Sequence, residues 1–251
     1  MGGVRSQVAN TVKRVLARRG LVVFRTGSKY GLDPWADVNR LASDWNYSIT
    51  LVFDVGANDG DSAVSALHQF PKARVISFEP HPVTYSKLTT RKHDQPRWSV
   101  INSALGSEIG EVGLFEYDDS KINSLTDKAQ YAVRFRRESR RISVKCTTLD
   151  AFCAESGIEL IDVLKIDTEG FDLAVLQGSS VMLQRQAVKF IYCEFNDLLP
   201  GDGTSGGALI PIYNLLRPFG YRFVASYNDY IVTDGEMFSV SNALFALPPP
   251  R

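Results

Sequence analysis

Cysteine is scarce in this chain: Cys146, Cys153 and Cys193 stand alone, and no CxxC pair exists. That argues against a disulfide framework or a thiolate zinc site and suits a reducing, cytosolic setting. Histidine is equally sparse, and His68, His81 and His93 show no metal-ligand spacing. No apolar run approaches the length of a membrane span, and the N-terminus lacks the uninterrupted apolar core of a signal peptide. Neither charge is in surplus, since the formal net charge is zero, which argues against a general nucleic-acid binder. What is present is ordinary for a globular protein: 251 residues, 44% hydrophobic and 22% charged.

The balance of charge is uneven. Residues 1–32 carry Arg5, Lys13, Arg14, Arg18, Arg19, Arg25 and Lys29 and no acid. Val4, Val8, Val12, Val15 and Leu16 recur there at helical spacing. This basic amphipathic helix reads as a surface helix packed on the domain, or as a peripheral membrane contact or a dimerisation element. Residues 1–48 form a helical lead-in rather than an independent domain, and 49–251 form the domain proper.

From Ile49 onward, strand-like and helix-like segments alternate. ITLVFDVGA, ARVISFEP, WSVINSALG, IDVLKIDTEG and VKFIYCEFN read as strands. DSAVSALHQF, VTYSKLTTRK, FDLAVLQGSSVMLQ and IPIYNLLRPFG read as helices. Such alternation predicts βαβ units and a mostly parallel α/β sheet with helices on both faces. EVGLFEY and RISVKCTTL read as a β-rich insertion, and YRFVASYN with SNALFALP as a closing hairpin.

In such sheets ligands bind at the carboxyl ends of the strands. The first strand ends Asp54-Val55-Gly56, and Gly56 and Gly60 permit a tight turn and close backbone approach. The acid is the distinctive part. A pyrophosphate seldom tolerates a carboxylate in its loop, whereas a sulfonium with an amino group favours one. Asp54, with Asn58 and Asp59, therefore selects S-adenosylmethionine over NAD on charge. The second strand ends at Glu79-Pro80, where a carboxylate suits a ribose diol. The third ends Asn102-Ser103-Ala104, small and polar, where an adenine ring would lie.

A second acidic group follows. Lys165, Asp167 and Glu169 close one strand, and Glu194, Asn196 and Asp197 close the next. Two readings stand for the first set: ion pairing of Lys165 with Asp167 or Glu169, or acceptor binding and proton removal. Asp167 with Glu194 or Asn196 could hold a hard divalent cation such as Mg2+, or the same oxygens could bind hydroxyls directly. His81, just after Glu79, is the histidine placed to reach cofactor or acceptor.

These stretches together resemble the FkbM family of S-adenosylmethionine-dependent O-methyltransferases. VFDVGANDGDS, FPKARVISFEPHPVTYSKL, INSALGS, TTLDAFC, IDVLKIDTEGFDLAVLQG, IYCEF and NALF carry the likeness, over about Gly31 to Phe245. The resemblance implies a Rossmann-like class I methyltransferase, with a seven-stranded sheet whose last strand is antiparallel. It implies cofactor contacts at Asp54, Gly56, Asn58, Glu79 and the Asn102–Ala104 turn, and an acceptor site lined by Asp167, Glu169 and Glu194. It also points to a sugar or glycoconjugate hydroxyl as acceptor, with a non-sugar secondary metabolite as the alternative.

Rival readings are an NAD-dependent oxidoreductase, which Asp54 opposes, and a non-catalytic cofactor-binding partner, which the intact second acidic group opposes. Gly203-Thr204-Ser205-Gly206-Gly207 matches the GxSxG hydrolase pattern but lacks the strand that must precede it. VRFRRESRR (133–141) reads as a solvated face or a grip on an acidic or carbohydrate acceptor. Trp35, Trp45 and Trp98 read as packing residues.

Overall fold

The central strands of the main sheet are short and largely apolar, the pattern of strands covered on both faces. β1 (Leu51–Val55) and β7 (Ile161–Ile166) are buried at every position. With β2 (Arg74–Phe78), β3 (Trp98–Ile101), β8 (Val188–Asn196), β9 (Arg222–Val232) and β10 (Phe238–Ala246) they form a seven-stranded sheet in the order β3-β2-β1-β7-β8-β10-β9. β10 runs antiparallel to both its neighbours, β8 and β9, and the pairings from β3 to β8 are parallel. This computed structural model describes residues 29–117, 120, 123–125, 140–196, 208–232 and 238–249. Residues 31–251 make one compact unit. The basic N-terminal helix, most of the arginine-rich stretch and the GxSxG match lie outside the described residues.

Alternation along the strands divides the core in two. Phe53, Val55, Leu164 and Ile166 face one layer, closed by α4 (Leu149–Ser156), α5 (Asp172–Gln177), α6 (Ser180–Gln184) and α7 (Leu209–Leu216). Val52, Val75 and Val163 face the other, closed by α1 (Pro34–Asp44), α2 (Asp61–Gln69) and α3 (Pro82–Arg91). Helix starts follow local chemistry. The Asp33 carboxylate accepts from Trp35 and Ala36 N–H with Pro34 next to it, and the Thr148 hydroxyl accepts from Ala151 N–H. The tryptophans do pack: Trp45 stacks on Phe190, Trp35 meets Phe70 edge-on, and the Trp98 indole donates to the Ser77 hydroxyl.

Two expectations need correction. WSVINSALG is not one strand. β3 ends at Ile101, and Ala104–Leu105 (β4) leaves the main sheet to pair with β6 (Arg140–Thr147) in a second sheet of order β4-β6-β5, where β5 is Gly110–Glu116. The helix read over FDLAVLQGSSVMLQ is two, broken at Gly178. A Cβ there would sit 1.9 Å from the Gly106 carbonyl oxygen, so the chain must present bare backbone to its neighbour.

Below the strand ends, Asp162 ties the entry of β1 to β7. Its carboxylate accepts from Leu51 N–H at 2.8 Å and the Thr50 hydroxyl at 2.9 Å, and also from Thr50 N–H and the Tyr47 hydroxyl. This fixes the relative height of the two strands whose ends form the site.

Candidate active site

The carboxyl ends of β1, β2, β7 and β8 open into a cavity of about 620 Å³, and the second sheet contributes Leu114 to its wall. Asn123 and Leu125 line it as well. On the β1 side the chain turns at Gly56, whose φ is 75°. A Cβ at Gly56 would lie 1.8 Å from the Asp167 carbonyl oxygen, so only glycine lets the β1 and β7 turns touch. Asn58 continues the turn with a φ of 45°, and Asn58 and Asp59 both line the cavity.

Glu79 and Pro80 form the next part of the wall. The Glu79 carboxylate accepts Asn58 N–H at 2.8 Å and His81 N–H at 2.9 Å, one on each oxygen. Burial drives its pKa up to about 7, against the pull of those two amides. Ser103 and Ala104 also line the cavity. Asn102 does not. Its side-chain amide donates to the carbonyls of Glu79 and Pro80, bracing the β2 end from behind.

Asp54 is likewise off the wall. It is 1% exposed and lies under the floor, in register with Lys165 on the adjacent strand. Both point into the layer that holds Val52 and Val163. Lys165 Nζ lies 3.1 Å from Asp54 Oδ1 and 3.5 Å from Asp167 Oδ2, and it donates to the Gly56 carbonyl at 3.3 Å. The Ser77 hydroxyl donates to the other Asp54 oxygen at 3.0 Å. The lysine is therefore paired, as one sequence reading held, but its nearest partner is Asp54. Burial works against its charge, yet Asp54, Asp167 and Asp172 more than offset this, so its pKa is raised and it stays an ammonium.

Gly60 also turns away. It heads α2 with a φ of 85°, and a Cβ there would strike the Trp98 ring at 2.5 Å. His81 caps α3: Nδ1 accepts from Thr84 N–H at 3.2 Å, which leaves Nε2 to donate to Glu116 at 3.0 Å. Glu116 in turn pairs with Arg140 at 2.7 Å. His81 does not line the cavity, so it ties α3 to the second sheet rather than reaching into the site.

On the β7 side, Asp167, Glu169 and Glu194 converge, with oxygens within 4.8 Å of one another. Glu169 is held in the left-handed region with a φ of 54°. Glu194 is 5% exposed, and the Asp167 side chain is 38% exposed to the cavity. The two carboxyls share a hydrogen bond. Burial and the neighbouring acids push Glu194 well above its ordinary value. Asp167 resists burial through Lys165 and the Glu194 hydrogen bond and sits below its ordinary value. Of the two, Glu194 is the carboxyl that burial pushes toward its neutral form, and Asp167 the one that Lys165 draws toward its charged form. For Asn196, the third candidate cation ligand, the position ends β8 but the side chain is outside the described residues.

Two acids escaped the sequence reading. Asp172 is fully buried at the start of α5. It accepts from Thr168 N–H at 3.2 Å, the Thr168 hydroxyl at 2.7 Å and Glu194 N–H at 3.1 Å. It therefore clamps the β7 turn to β8, and burial beside Asp167 raises its pKa to about 6. The signal was the Thr168–Asp172 spacing across one helical turn. Asp229, on β9, lines the far wall and accepts from Asn242 at 3.0 Å.

The Methyltransferase FkbM domain model matches residues 54–223. The chain belongs to the FkbM methyltransferase family. It is accordingly an S-adenosylmethionine-dependent methyltransferase domain, and the oxidoreductase reading falls away. The 2-O-methyltransferase NoeI of Sinorhizobium fredii is 27% identical over 59% of this chain and 63% of its own. The hexuronic acid methyltransferase AglP of Haloferax volcanii is 28% identical over 64% of this chain and 62% of its own. The chain thus spans under two thirds of the length of these two relatives. The 31-O-demethyl-FK506 methyltransferase FkbM of Streptomyces tacrolimicus is 26% identical over 70% of this chain and 74% of its own. Among solved structures, a METTL16 methyltransferase domain aligns with a TM-score of 0.48 at 11% identity, over 84% of this chain and 65% of that one. No helix among the described residues is long and apolar enough to cross a membrane.

Proposed function

We propose that this methyltransferase methylates a hydroxyl of a sugar or glycoconjugate, with Asp167 receiving the hydroxyl proton. The observation that carries the reading is the Asp167 carboxylate: open to the cavity, held ionised by Lys165, and next to the Gly56 turn. The names of two relatives, a 2-O-methyltransferase and a hexuronic acid methyltransferase, support a sugar acceptor, and a third relative leaves a secondary metabolite as the alternative.

The residues fit the donor. Gly56 removes the Cβ that would block the β1 turn, Glu79 offers a carboxylate with unused lone pairs to a ribose, and Ser103 and Ala104 leave room for a ring. S-adenosylmethionine, when bound, supplies a methyl group whose bond electrons stay with sulfur as an oxygen lone pair forms the new C–O bond. A carboxylate of depressed pKa is a weak base for a free alcohol. It suffices here, because the hydroxyl becomes strongly acidic as its oxygen is alkylated. Asp167 accepts that hydrogen bond and then the proton. The raised pKa of Glu194 lessens the repulsion between the two carboxyls. Asp172 holds the β7 turn and β8 at the spacing the pair needs.

The convergence of Asp167, Glu169 and Glu194 also supports a second reading, in which these oxygens hold a divalent cation that acidifies the hydroxyl. The test is methyl transfer over mono- and oligosaccharides with and without chelator, for wild type and Asp167→Ala. The variant should lose at least a hundredfold in turnover and still bind S-adenosylhomocysteine in calorimetry. Wild-type-like turnover in Asp167→Ala would remove this residue from the reaction, and abolition by chelator would favour the cation.

A further inference from the structure

The chain that leaves β5 returns beside it at Ser124. Phe115 N–H donates to the Ser124 carbonyl at 2.8 Å, and Ser124 N–H donates to the Phe115 carbonyl at 3.2 Å. Asn123 and Leu125 line the cavity, while Ser124 between them is 1% exposed and does not. Extended chain sends alternate side chains to opposite sides. The hidden Ser124 hydroxyl donates to the Glu169 carbonyl at 2.8 Å. Glu169 is the cavity residue held at a φ of 54°, and Gly170 follows at 94°. A glutamate keeps that conformation only where its surroundings enforce it. Asp172 holds Thr168 on one side of it, and Ser124 holds the Glu169 carbonyl itself. Four residues before Ser124, the Ser120 hydroxyl donates to Asn58 Oδ1 at 3.1 Å, and Asn58 is the other cavity residue of positive φ that is not glycine. The segment after β5 is thus tied to both turns of the site at their left-handed residues.

We propose that Ser124 is a positioning residue for the acceptor: through the Glu169 carbonyl it holds the β7 turn so that the Glu169 carboxyl stays beside Asp167 and Glu194 and receives a hydroxyl of the acceptor next to the one that is methylated. The inference rests on the O-methyl-transfer reading above and adds a residue to its acceptor site. Glu194 lies within β8, whereas Glu169 lies beyond the end of β7, so turn geometry aims its carboxyl. Groups that position a substrate must be held to within about 0.5 Å. A carboxylate offers about four acceptor positions, so it can take a substrate hydroxyl alongside a protein partner. A hydroxyl that does not react is held equally in the ground and transition states, so its loss is read in KM and not in kcat.

The test compares wild type, Ser124→Ala, Glu169→Ala and the double variant, each as the full chain with S-adenosylmethionine. The acceptors are mono- and oligosaccharides, linear polyols and aromatic diols. Ser124→Ala should raise the acceptor KM at least fivefold, with kcat changed less than threefold and S-adenosylhomocysteine affinity within twofold. Glu169→Ala should raise KM at least as much, and adding Ser124→Ala to it should raise KM less than twofold further, since the carboxyl that Ser124 steadies is gone. Hydrogen exchange supplies a readout without an acceptor. In Ser124→Ala the Thr168 amide, covered in the wild type by Asp172, should exchange at least threefold faster, and the Phe115 amide, bonded to main chain, should not change. An unchanged Thr168 amide, a faster Phe115 amide, a wild-type KM in either single variant or full additivity in the double variant overturns the inference and leaves the O-methyltransferase reading intact. Wild-type-like turnover in Asp167→Ala removes the proton acceptor of that reading and leaves the inference standing. Turnover confined to non-sugar members overturns the sugar assignment, and the KM comparison is read there. No turnover of any member, with S-adenosylhomocysteine still bound, overturns both.

Discussion

Replacing Lys165 by methionine isolates the ion pair beneath the site. The substitution keeps the length and apolar stem of the side chain but deletes its ammonium. Asp54 is 1% exposed and would then keep only the Ser77 hydroxyl as a polar partner. Removing one member of a buried pair costs about 3–5 kcal/mol, because the survivor is a charge without compensation. In a chain of this size each kcal/mol moves the melting temperature by about 2–4 °C, so Lys165→Met should melt roughly 6–20 °C lower. Adding Asp54→Asn removes the stranded charge and should recover much of the loss. The double-mutant cycle then gives a coupling well outside simple additivity.

The pH dependence supplies an independent signature. In the wild type the Lys165 pKa is raised above its ordinary value, so the stability it contributes is complete below about pH 10 and is lost only as pH rises through that raised value. Its contribution is therefore flat between pH 6 and 9. In Lys165→Met that contribution is absent at every pH, so the gap to wild type should stay open across pH 6 to 9. Scanning calorimetry of wild type, both single variants and the double variant over pH 5–9 measures all of this. A Lys165→Met protein melting within 2 °C of wild type, or gaining nothing from Asp54→Asn, would refute the account of Asp54 as a structural anion.

Glu79, with its pKa raised to about 7, binds a proton in the folded state that it releases in the unfolded one between pH 4.5 and 7. Folding should weaken across that window by up to about 3 kcal/mol, and Glu79→Gln should flatten the slope, though not abolish it, since Asp172, raised to about 6, acts in the same direction. Melting temperature against pH for the two proteins decides it. His81→Ala removes the cap of α3 and should cost about 1 kcal/mol, with kcat within twofold of wild type. A hundredfold fall in kcat would place this histidine in the chemistry after all. Gly56→Ala forces a left-handed alanine, at about 1–2 kcal/mol, and drives the β1 and β7 turns apart by more than 1 Å. Calorimetry with S-adenosylhomocysteine should show at least a tenfold loss of affinity.

The sheet was readable because its central strands are short and largely apolar and its helices start at residues that cap them, such as Asp33-Pro34 and Thr148. The strand ends were readable for the same reason, and Gly56, Asn58, Glu79, Ser103, Ala104, Asp167 and Glu194 do meet at one cavity. What failed was anything decided across the sheet. Asp54 meets Lys165 only because β1 and β7 are neighbours in a given register, which no local pattern reports. Asn102 and Ala104 are two residues apart, yet one braces β2 and the other belongs to a different sheet. Asp229 reaches the cavity through the closing hairpin, whose partner is chosen by topology.

The misplaced aspartate changes the logic of the site without removing Asp54 from it. Asp167 owes its ionisation to Lys165, and Lys165 owes its own charge and position first to Asp54. The carboxylate that does not touch the cavity therefore sets the protonation of the one that does. Neutralising Asp54 frees the ammonium to draw closer to Asp167, which lowers the pKa of Asp167 further and weakens it as a proton acceptor. Asp54→Asn should accordingly lower kcat more than it raises the KM for S-adenosylmethionine. A direct contact of Asp54 with the donor predicts the opposite split, so steady-state kinetics of this one variant separate a buried support from a ligand contact.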